Sequence, residues 1–446
     1  MPIPPLSTLL LAGWAYLHFY QHGFHVSALN GLHQAMTCEL SGGKIERSKS
    51  IGLRLDSCVP MNASEFGLVT AAFTVGGLLG AISADSVTRR SGRVRTLQIA
   101  SLLFAMGSFC IGTGNSVSRL IVGRILAGGG SGLSSVTVPL YLAELAPSLR
   151  GVLSILAQLS VNCGILTGQL VSFPYAQPLL WRQAMLVPIC LSGLQMLGST
   201  IALRAGRRRM AEIREKQLFE IEDATMDLDD DQDSVAPLGV MEIISSTDPY
   251  IKRGFIIVLV TQMSQQLCGI TPVMSFSTRI LTPVFKANSR YIATLMLIPK
   301  LPITLIPAFL LKRVPPKDLL RYSCYCTAGS ALVLAIGLNT NISSLSILGI
   351  SVFVSAFSIG LGPVTIVVLS EVLPPHARTA AGSIGVALNW STSFVMASIF
   401  LPLQEALKTG PESGDGNIFM LIFPICLVAS VAITSSYRAL ERISRV

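Results

Sequence analysis

Residues 123–151 read GRILAGGGSGLSSVTVPLYLAELAPSLRG. Between Arg124 and Glu144 the 19 residues at 125–143 carry no charge, and roughly 20 apolar residues, each rising about 1.5 Å along a helix, span the hydrocarbon of a bilayer. An acid, a proline and a base then follow at set spacing, Glu144-x-x-Pro147-x-x-Arg150. The same punctuation returns 227 residues further along as Glu371-x-x-Pro374-x-x-x-Arg378. At that offset Lys317 matches Arg90 in a basic loop, and Lys312 replaces Asp85. A spanning helix that recurs with its flanking charges reads as two parallel copies of a multi-helix unit, which places two bundles about an axis along the membrane normal.

Further uncharged runs extend outward from this stretch, at 66–84, 96–118, 151–181, 183–203, 254–278, 379–404 and 416–437. The run at 322–370 is too long for one helix, and the polar turn 339–344 divides it. With 6–20, and with 291–311 interrupted by Lys300, twelve spans result. Only helices and closed barrels satisfy the backbone in hydrocarbon, and runs of this length are helices. The expected fold is an all-α membrane protein, with transmembrane helices in two six-helix bundles at 1–205 and 251–446. The cytoplasmic linker loop at 206–250 is basic at 207–209, acidic at 227–233 and broken at Pro237.

Of the 446 residues, 51% are hydrophobic and 13% charged, against roughly 25% charged in soluble domains. The net charge of +9 lies in short clusters between apolar runs and forms no stripe with interleaved aromatics, which argues against a nucleic-acid partner. With the N-terminus cytoplasmic, 21 of the 33 Lys and Arg fall on the inner side, as the positive-inside rule favours. The stretch 6–20 has no basic residue before it and no small-residue cleavage site after it, so it reads as the first membrane helix and not a signal peptide. Cys38 and Cys58 share a polar loop, where a disulfide depends on the compartment. Asn62-Ala63-Ser64 is a glycosylation sequon on the predicted outer side.

Motifs run through nearly the whole chain. Gly80-x4-Asp85-x3-Arg89-Arg90 follows the second span, with Ser86 and Thr88 where an Arg and a Gly are expected. Gly123-Arg124 and Pro139-x-Tyr141-x-x-Glu144-x-x-Pro147-x-x-Arg150-Gly151 belong to the fourth. Then come Gln158-Leu159, Trp181-Arg182, Gln262-x-Ser264-Gln265-Gln266-Leu267-x-Gly269-Ile270, Gly360-x-Gly362-Pro363 and Asn389-Trp390. In this order they resemble the sugar porters of the major facilitator superfamily, of which the chain looks like a divergent member. The resemblance implies a secondary transporter that moves a sugar or related polyhydroxylated metabolite by alternating access, by facilitated diffusion or coupled to protons. It implies no cofactor and no metal. The departures bear on substrate: Thr271-Pro272 and Ser275-Phe276 stand where Asn and paired aromatics are usual, and Ile366 takes the place of a tryptophan.

Gln158, Gln265 and Gln266 are amides in apolar helices, where unpaired polar groups are costly and turn toward a bundle interior or a wet cavity. An amide both donates and accepts, as a sugar hydroxyl does. Asn389 takes the same assignment from its motif, Thr271 joins it, and Trp390 offers a ring face for pyranose C–H groups. Lys300 is an intramembrane cation suited to an anionic group or a structural pair, unless it snorkels to the outer interface. Asp85, Arg89, Glu144, Arg150, Glu371 and Arg378 sit at cytoplasmic helix ends, where weak pairs across the bundles suit a gate. Where proton-coupled sugar porters usually carry Asp, this chain has His25, a titratable candidate for coupling. His18, His22 and His25 fall near one helical face, but no carboxylate or thiolate joins them as a metal site would require.

No His-Glu-x-x-His, nucleophile elbow or phosphate-binding glycine loop is present to suggest an enzyme. A nutrient sensor on the same fold is the alternative; such sensors tend to carry long cytoplasmic tails, and nine residues follow Tyr437. The expected setting is a multi-pass protein of the plasma membrane or an internal membrane such as the vacuole, its partners a small solute, the lipid bilayer and, if coupled, protons.

Overall fold

A backbone amide in hydrocarbon must find its partner within the chain, and a helix supplies that partner along its own axis. The computed structural model describes residues 6–38, 47–50, 53–146, 150–223, 238–311, 313–410 and 414–443, and almost all of them are helical. In the first half α1 (Leu6–Met36), α2 (Ala63–Ser91), α3 (Arg93–Thr113), α4 (Val117–Leu145), α5 (Arg150–Tyr175) and α6 (Leu186–Asp223) each cross once. Between α1 and α2 lies a hairpin of β1 (Arg47–Ser50) and β2 (Leu53–Asp56), antiparallel with Arg47 opposite Asp56. A short α7 (Val240–Ile244) precedes the second half.

There the crossings are interrupted. The first comprises α8 (Pro249–Leu267) and α9 (Ile270–Phe285), separated at Gly269, whose φ of 84° is left-handed. The second is α10 (Ser289–Leu295), α11 (Leu297–Ile303) and α12 (Ile306–Leu310). Its Pro299, Pro302 and Pro307 each lack the amide that would continue the ladder. After α13 (Pro316–Asn339) comes α14 (Ser343–Ile359), broken from α15 (Val364–Val372) at 360–363. Then α16 (Pro375–Ala406) and α17 (Asn417–Ile443) complete twelve crossings of a multi-pass membrane fold.

By length and apolarity alone, nine helical runs among the described residues qualify as spans, and one of these, Pro249–Leu310, covers two crossings. Helix α1 fails that test because it carries His18, Gln21, His25, Asn30 and His33, all buried against other helices. It therefore runs to Met36, well past the apolar stretch 6–20. The expected linker boundary is likewise displaced: α6 continues to Asp223, so the basic start of the linker is helical. The acidic run 227–233 lies outside the described residues.

Glycine brings the first half together. A methyl at Gly76 or Gly80 would overlap the carbonyl oxygens of Ile125 or Gly129 on α4, and one at Gly128 or Gly132 those of Phe73 or Gly77 on α2. Two small-x-x-x-small ridges thus bring the backbones of α2 and α4 into contact. The halves meet along α2 and α16, α1 and α9, and α5 with α10, α11 and α12. Outside the bilayer Cys38 and Cys58 are disulfide-bonded. Asn62, the sequon residue, caps α2 by accepting from the Glu65 amide at 2.8 Å.

Candidate functional site

Between the halves lies a cavity of about 430 Å³. Its polar wall is made by the break in the first crossing of the second half. The left-handed turn at Gly269 stops α8 just after Gln265 and Gln266, and restarts as α9 with Thr271 facing back. Thr271 Oγ1 donates to Gln266 Oε1 at 2.7 Å, and Ser393 Oγ to Thr271 Oγ1 at 3.1 Å. Gln266 Nε2 donates to Asn389 Oδ1 at 3.0 Å. Asn389 Nδ2 reaches Gln265 Oε1 at 2.7 Å and Gln262 Oε1 at 3.0 Å. Gln265 Nε2 donates to the carbonyls of Leu361 (2.7 Å) and Gly362 (3.0 Å), where the break between α14 and α15 leaves them without helical partners.

The structure thus joins Gln265, Gln266, Thr271 and Asn389 in one network that also holds Gln262 and Ser393. Gln262 was within sight in the sequence: it stands three residues before Gln265, on the same helical face. Ser393, one turn past Asn389 on α16, had no motif to mark it. From the first half Gln158 lines the cavity, half-buried and with no hydrogen-bond partner among the described residues.

Trp390 forms cavity wall, but differently from the expected stacking platform. It is 7% exposed, lies so closely over Gly77 of α2 that a methyl there would overlap the indole, and meets His22 and Phe73 edge-on at 5.7 and 6.0 Å. The ring ties α16 to the first half. Lys300 is 4% exposed and lines the cavity, so it does not snorkel outward. Its Nζ lies 3.6 Å from Met274 Sδ and pairs with no carboxylate among the described residues, although a central intramembrane lysine costs about 3 kcal/mol on insertion scales.

His25 is not on the cavity wall. It stacks on Phe104 at 5.5 Å inside the first half, with Ser108 Oγ 3.4 Å from Nε2. Arg124 donates to the carbonyls of His25 (2.7 Å) and Thr70 (3.2 Å), and its guanidinium lies 4.5 Å above the Phe73 ring. The histidine that lines the cavity is His22, hydrogen-bonded to Ser131. His18 is 3.2 Å from Ser101 Oγ, so the three imidazoles turn to separate partners.

Toward the outer side the halves close. Asn30 Nδ2 donates to Ser277 Oγ at 2.7 Å and Asn30 Oδ1 accepts from the Thr278 amide at 3.1 Å. Phe173 stacks on Tyr291 at 4.9 Å, while deeper, beside the cavity, Asn162 Nδ2 donates to Thr304 Oγ1 at 2.6 Å. Inward, the cavity wall extends to Leu369 and Arg378, which makes this an inward-facing arrangement. Four of the six gate candidates are partnered within their own halves. Asp85 pairs with Arg89 on the same helix, and both carboxylate oxygens of Glu144 accept from Arg93 Nε of α3 at 2.7 Å. Arg378 Nε donates to the Leu373 carbonyl at 2.8 Å. Glu371 is exposed, and the Arg150 side chain lies outside the described residues.

The profile of the family described as "Sugar (and other) transporter" matches residues 11–446. Vacuolar protein sorting-associated protein 73 of Saccharomyces cerevisiae is 26% identical over 417 residues, 87% of this chain and 86% of that protein. The glucose transporter GlcP of Staphylococcus epidermidis is 27% identical, over 79% of this chain and 82% of its own. In three dimensions the chain resembles the xylose transporter XylE from E. coli in a partially occluded inward-open conformation. That match has a TM-score of 0.70 and 19% identity, and covers 96% of this chain and 99% of the other; at that identity it speaks for the major facilitator fold.

Proposed function

The chain belongs to the sugar (and other) transporter family, and from that premise we propose that its central cavity carries a sugar or related polyhydroxylated metabolite across the membrane by alternating access. It is a transporter and not an enzyme. The observation that supports the cavity as the solute site is the amide network of Gln262, Gln265, Gln266 and Asn389. These groups are held by one another at distances that hydroxyls can replace bond for bond. A buried amide that exchanges one partner for another loses little, whereas an apolar solute would leave several donors and acceptors unmet. A volume of about 430 Å³ suits a monosaccharide, and the relatives named for glucose and xylose fit that size.

In this reading Gln158, Gln265, Gln266, Thr271 and Asn389 contact hydroxyls, while Trp390 closes the wall. Residues 1–205 and 251–446 rock as two bodies about the cavity. On the opposite stroke Asp85, Arg89, Glu144, Arg150, Glu371 and Arg378 exchange partners across the inner face. Coupling to protons needs a titratable group that both sides reach in turn, and His25 is enclosed by Phe104, Ser108 and Arg124. That enclosure supports facilitated diffusion over coupling at His25, and a proton-coupled cycle would instead use His22, which lines the cavity.

Uptake of labelled sugars and polyols into transporter-deficient cells at two pH values tests the proposal. We expect one or a few of them to be taken up with little pH dependence, and no uptake of any would refute it. Accumulation above equilibrium in proteoliposomes under a pH gradient, abolished by His25→Asn with exchange preserved, would replace facilitated diffusion with symport.

A further inference from the structure

Taking the central cavity as the solute site, we infer that its solute carries a carboxylate: a sugar acid, with the hydroxyls on the amide network and the charge on Lys300. Among its described lining residues the cavity holds Arg124, Lys300 and Arg378 and not one Asp or Glu. Two of these cations have carbonyl partners. Arg124 donates through its two Nη groups to the carbonyls of His25 and Thr70 and lies over the Phe73 ring, leaving its Nε without a partner among the described residues, and Arg378 Nε donates to the Leu373 carbonyl. Lys300 differs, because among the described residues its ammonium has as hydrogen-bond partner only the thioether of Met274 at 3.6 Å, and a thioether is a weak acceptor. A buried cation whose one polar partner among the described residues is a sulfur lacks its counter-charge there.

The geometry also says where that charge comes from. Met274 stands three residues after Thr271 on α9, a rise of about 4.5 Å along the helix, and Thr271 is bonded into the network. The ammonium is thus set against the turn of α9 that follows Thr271, and both Lys300 and Thr271 line the same cavity. A pyranose with a carboxylate at one end spans that interval, so one solute can fill both subsites. A neutral hexose leaves Lys300 as it is.

The test uses the full-length protein in proteoliposomes loaded with D-glucuronate or D-glucose, with counterflow of each measured for wild type, Lys300→Gln and Lys300→Arg. Glucuronate should exchange at least tenfold faster than glucose. Lys300→Gln should remove most of that advantage, read as the ratio of glucuronate to glucose exchange, and Lys300→Arg should restore part of it. Because Lys300→Gln can fail to fold, wild type is also assayed for thermal stabilisation by glucuronate and by its neutral methyl ester. The acid should stabilise at concentrations at least tenfold lower.

Glucose exchange without glucuronate exchange would overturn the inference and leave sugar transport standing. Failure of both to exchange or stabilise would take down the transport reading with it. Glucuronate exchange indifferent to Lys300→Gln, or equal stabilisation by acid and ester, would also overturn it. So would glucose exchange that requires chloride and is lost in Lys300→Gln, since a free anion would then occupy Lys300.

Discussion

The two halves descend from one repeat pattern, yet they solve the same packing problem in opposite ways. In the first half α2 and α4 run unbroken and touch backbone to backbone at Gly76, Gly80, Gly128 and Gly132. In the second, three of the six crossings are interrupted, at Gly269, through the prolines of α10 to α12, and at 360–363. Each interruption frees backbone groups that side chains must satisfy, and Gln265 does so for Leu361 and Gly362. Close glycine packing makes a stiff body. Interrupted helices make a polar wall, because their loose ends attract amides. The contrast assigns the scaffold to one half and most of the proposed solute contacts to the other.

The largest effect should come from breaking the stiff half. Gly128→Leu would force a side chain into the Phe73 carbonyl, where overpacking costs roughly 1–3 kcal/mol or more. The monodisperse fraction recovered after detergent extraction should fall at least fivefold. Gly329→Leu on α13, which has open space around its Cα, should leave that fraction almost unchanged. Equal losses would erase the distinction between the halves.

Next are the amides of the polar wall. Gln266→Ala removes bonds to Asn389 and Thr271 only, so uptake should fall about tenfold with folded abundance preserved, as the loss of one or two hydrogen bonds at about 1 kcal/mol each suggests. Gln265→Ala also strips the break between α14 and α15, and should lower both uptake and melting temperature. If the two variants behave alike, the network does not divide between solute binding and helix repair.

The outer contact between the halves ranks third. Asn30→Ala deletes two bonds to α9, about 1 kcal/mol each, so the outward-facing population should rise by roughly five- to thirtyfold. The readout is labelling of a cysteine introduced on the cavity side of Ser277. Unchanged labelling would mean the outer seam is held elsewhere.

Smallest is Glu144→Gln. Its pair with Arg93 is more than half exposed on the acid's side, and such pairs contribute about 0–1 kcal/mol. Exchange should slow less than about fivefold, an effect that shrinks in high salt. Exchange unaltered even at low salt would remove Glu144 from the inner gate.

Much of this contrast was written in the sequence. Uncharged runs located the spans because hydrocarbon tolerates few unpaired polar groups, and consecutive glutamines before Gly269 marked the wall. What escaped did so because hydropathy counts residues one at a time. Helix α1 was legible only to residue 20, since Gln21 and Asn30 acquire their partners, Pro188 and Ser277, from helices far away in the chain. Spacing put His22 and His25 near one face of α1, but only the placement of α3 and α4 decides that His22 meets the cavity and His25 the interior. The charges at the inner helix ends were readable as a set, whereas their present partners depend on which side of the protein is open.

The segment before α2 illustrates how one bond can report on an entire molecule. The Cys38–Cys58 link encloses the hairpin, and among the described residues its anchors lie in the first half: Trp181 Nε1 donates to the Ser57 carbonyl at 2.9 Å and Arg182 Nη2 to that of Asp56 at 2.8 Å. The hairpin therefore rides with that half as a passenger. A cystine of this kind persists only where the surroundings keep thiols oxidised, so it assigns the hairpin to the lumenal or extracellular face without reference to lysine and arginine counts. The other cysteines, Cys110 and Cys268 among them, are free thiols, which leaves this cystine as the covalent marker of sidedness among the described cysteines.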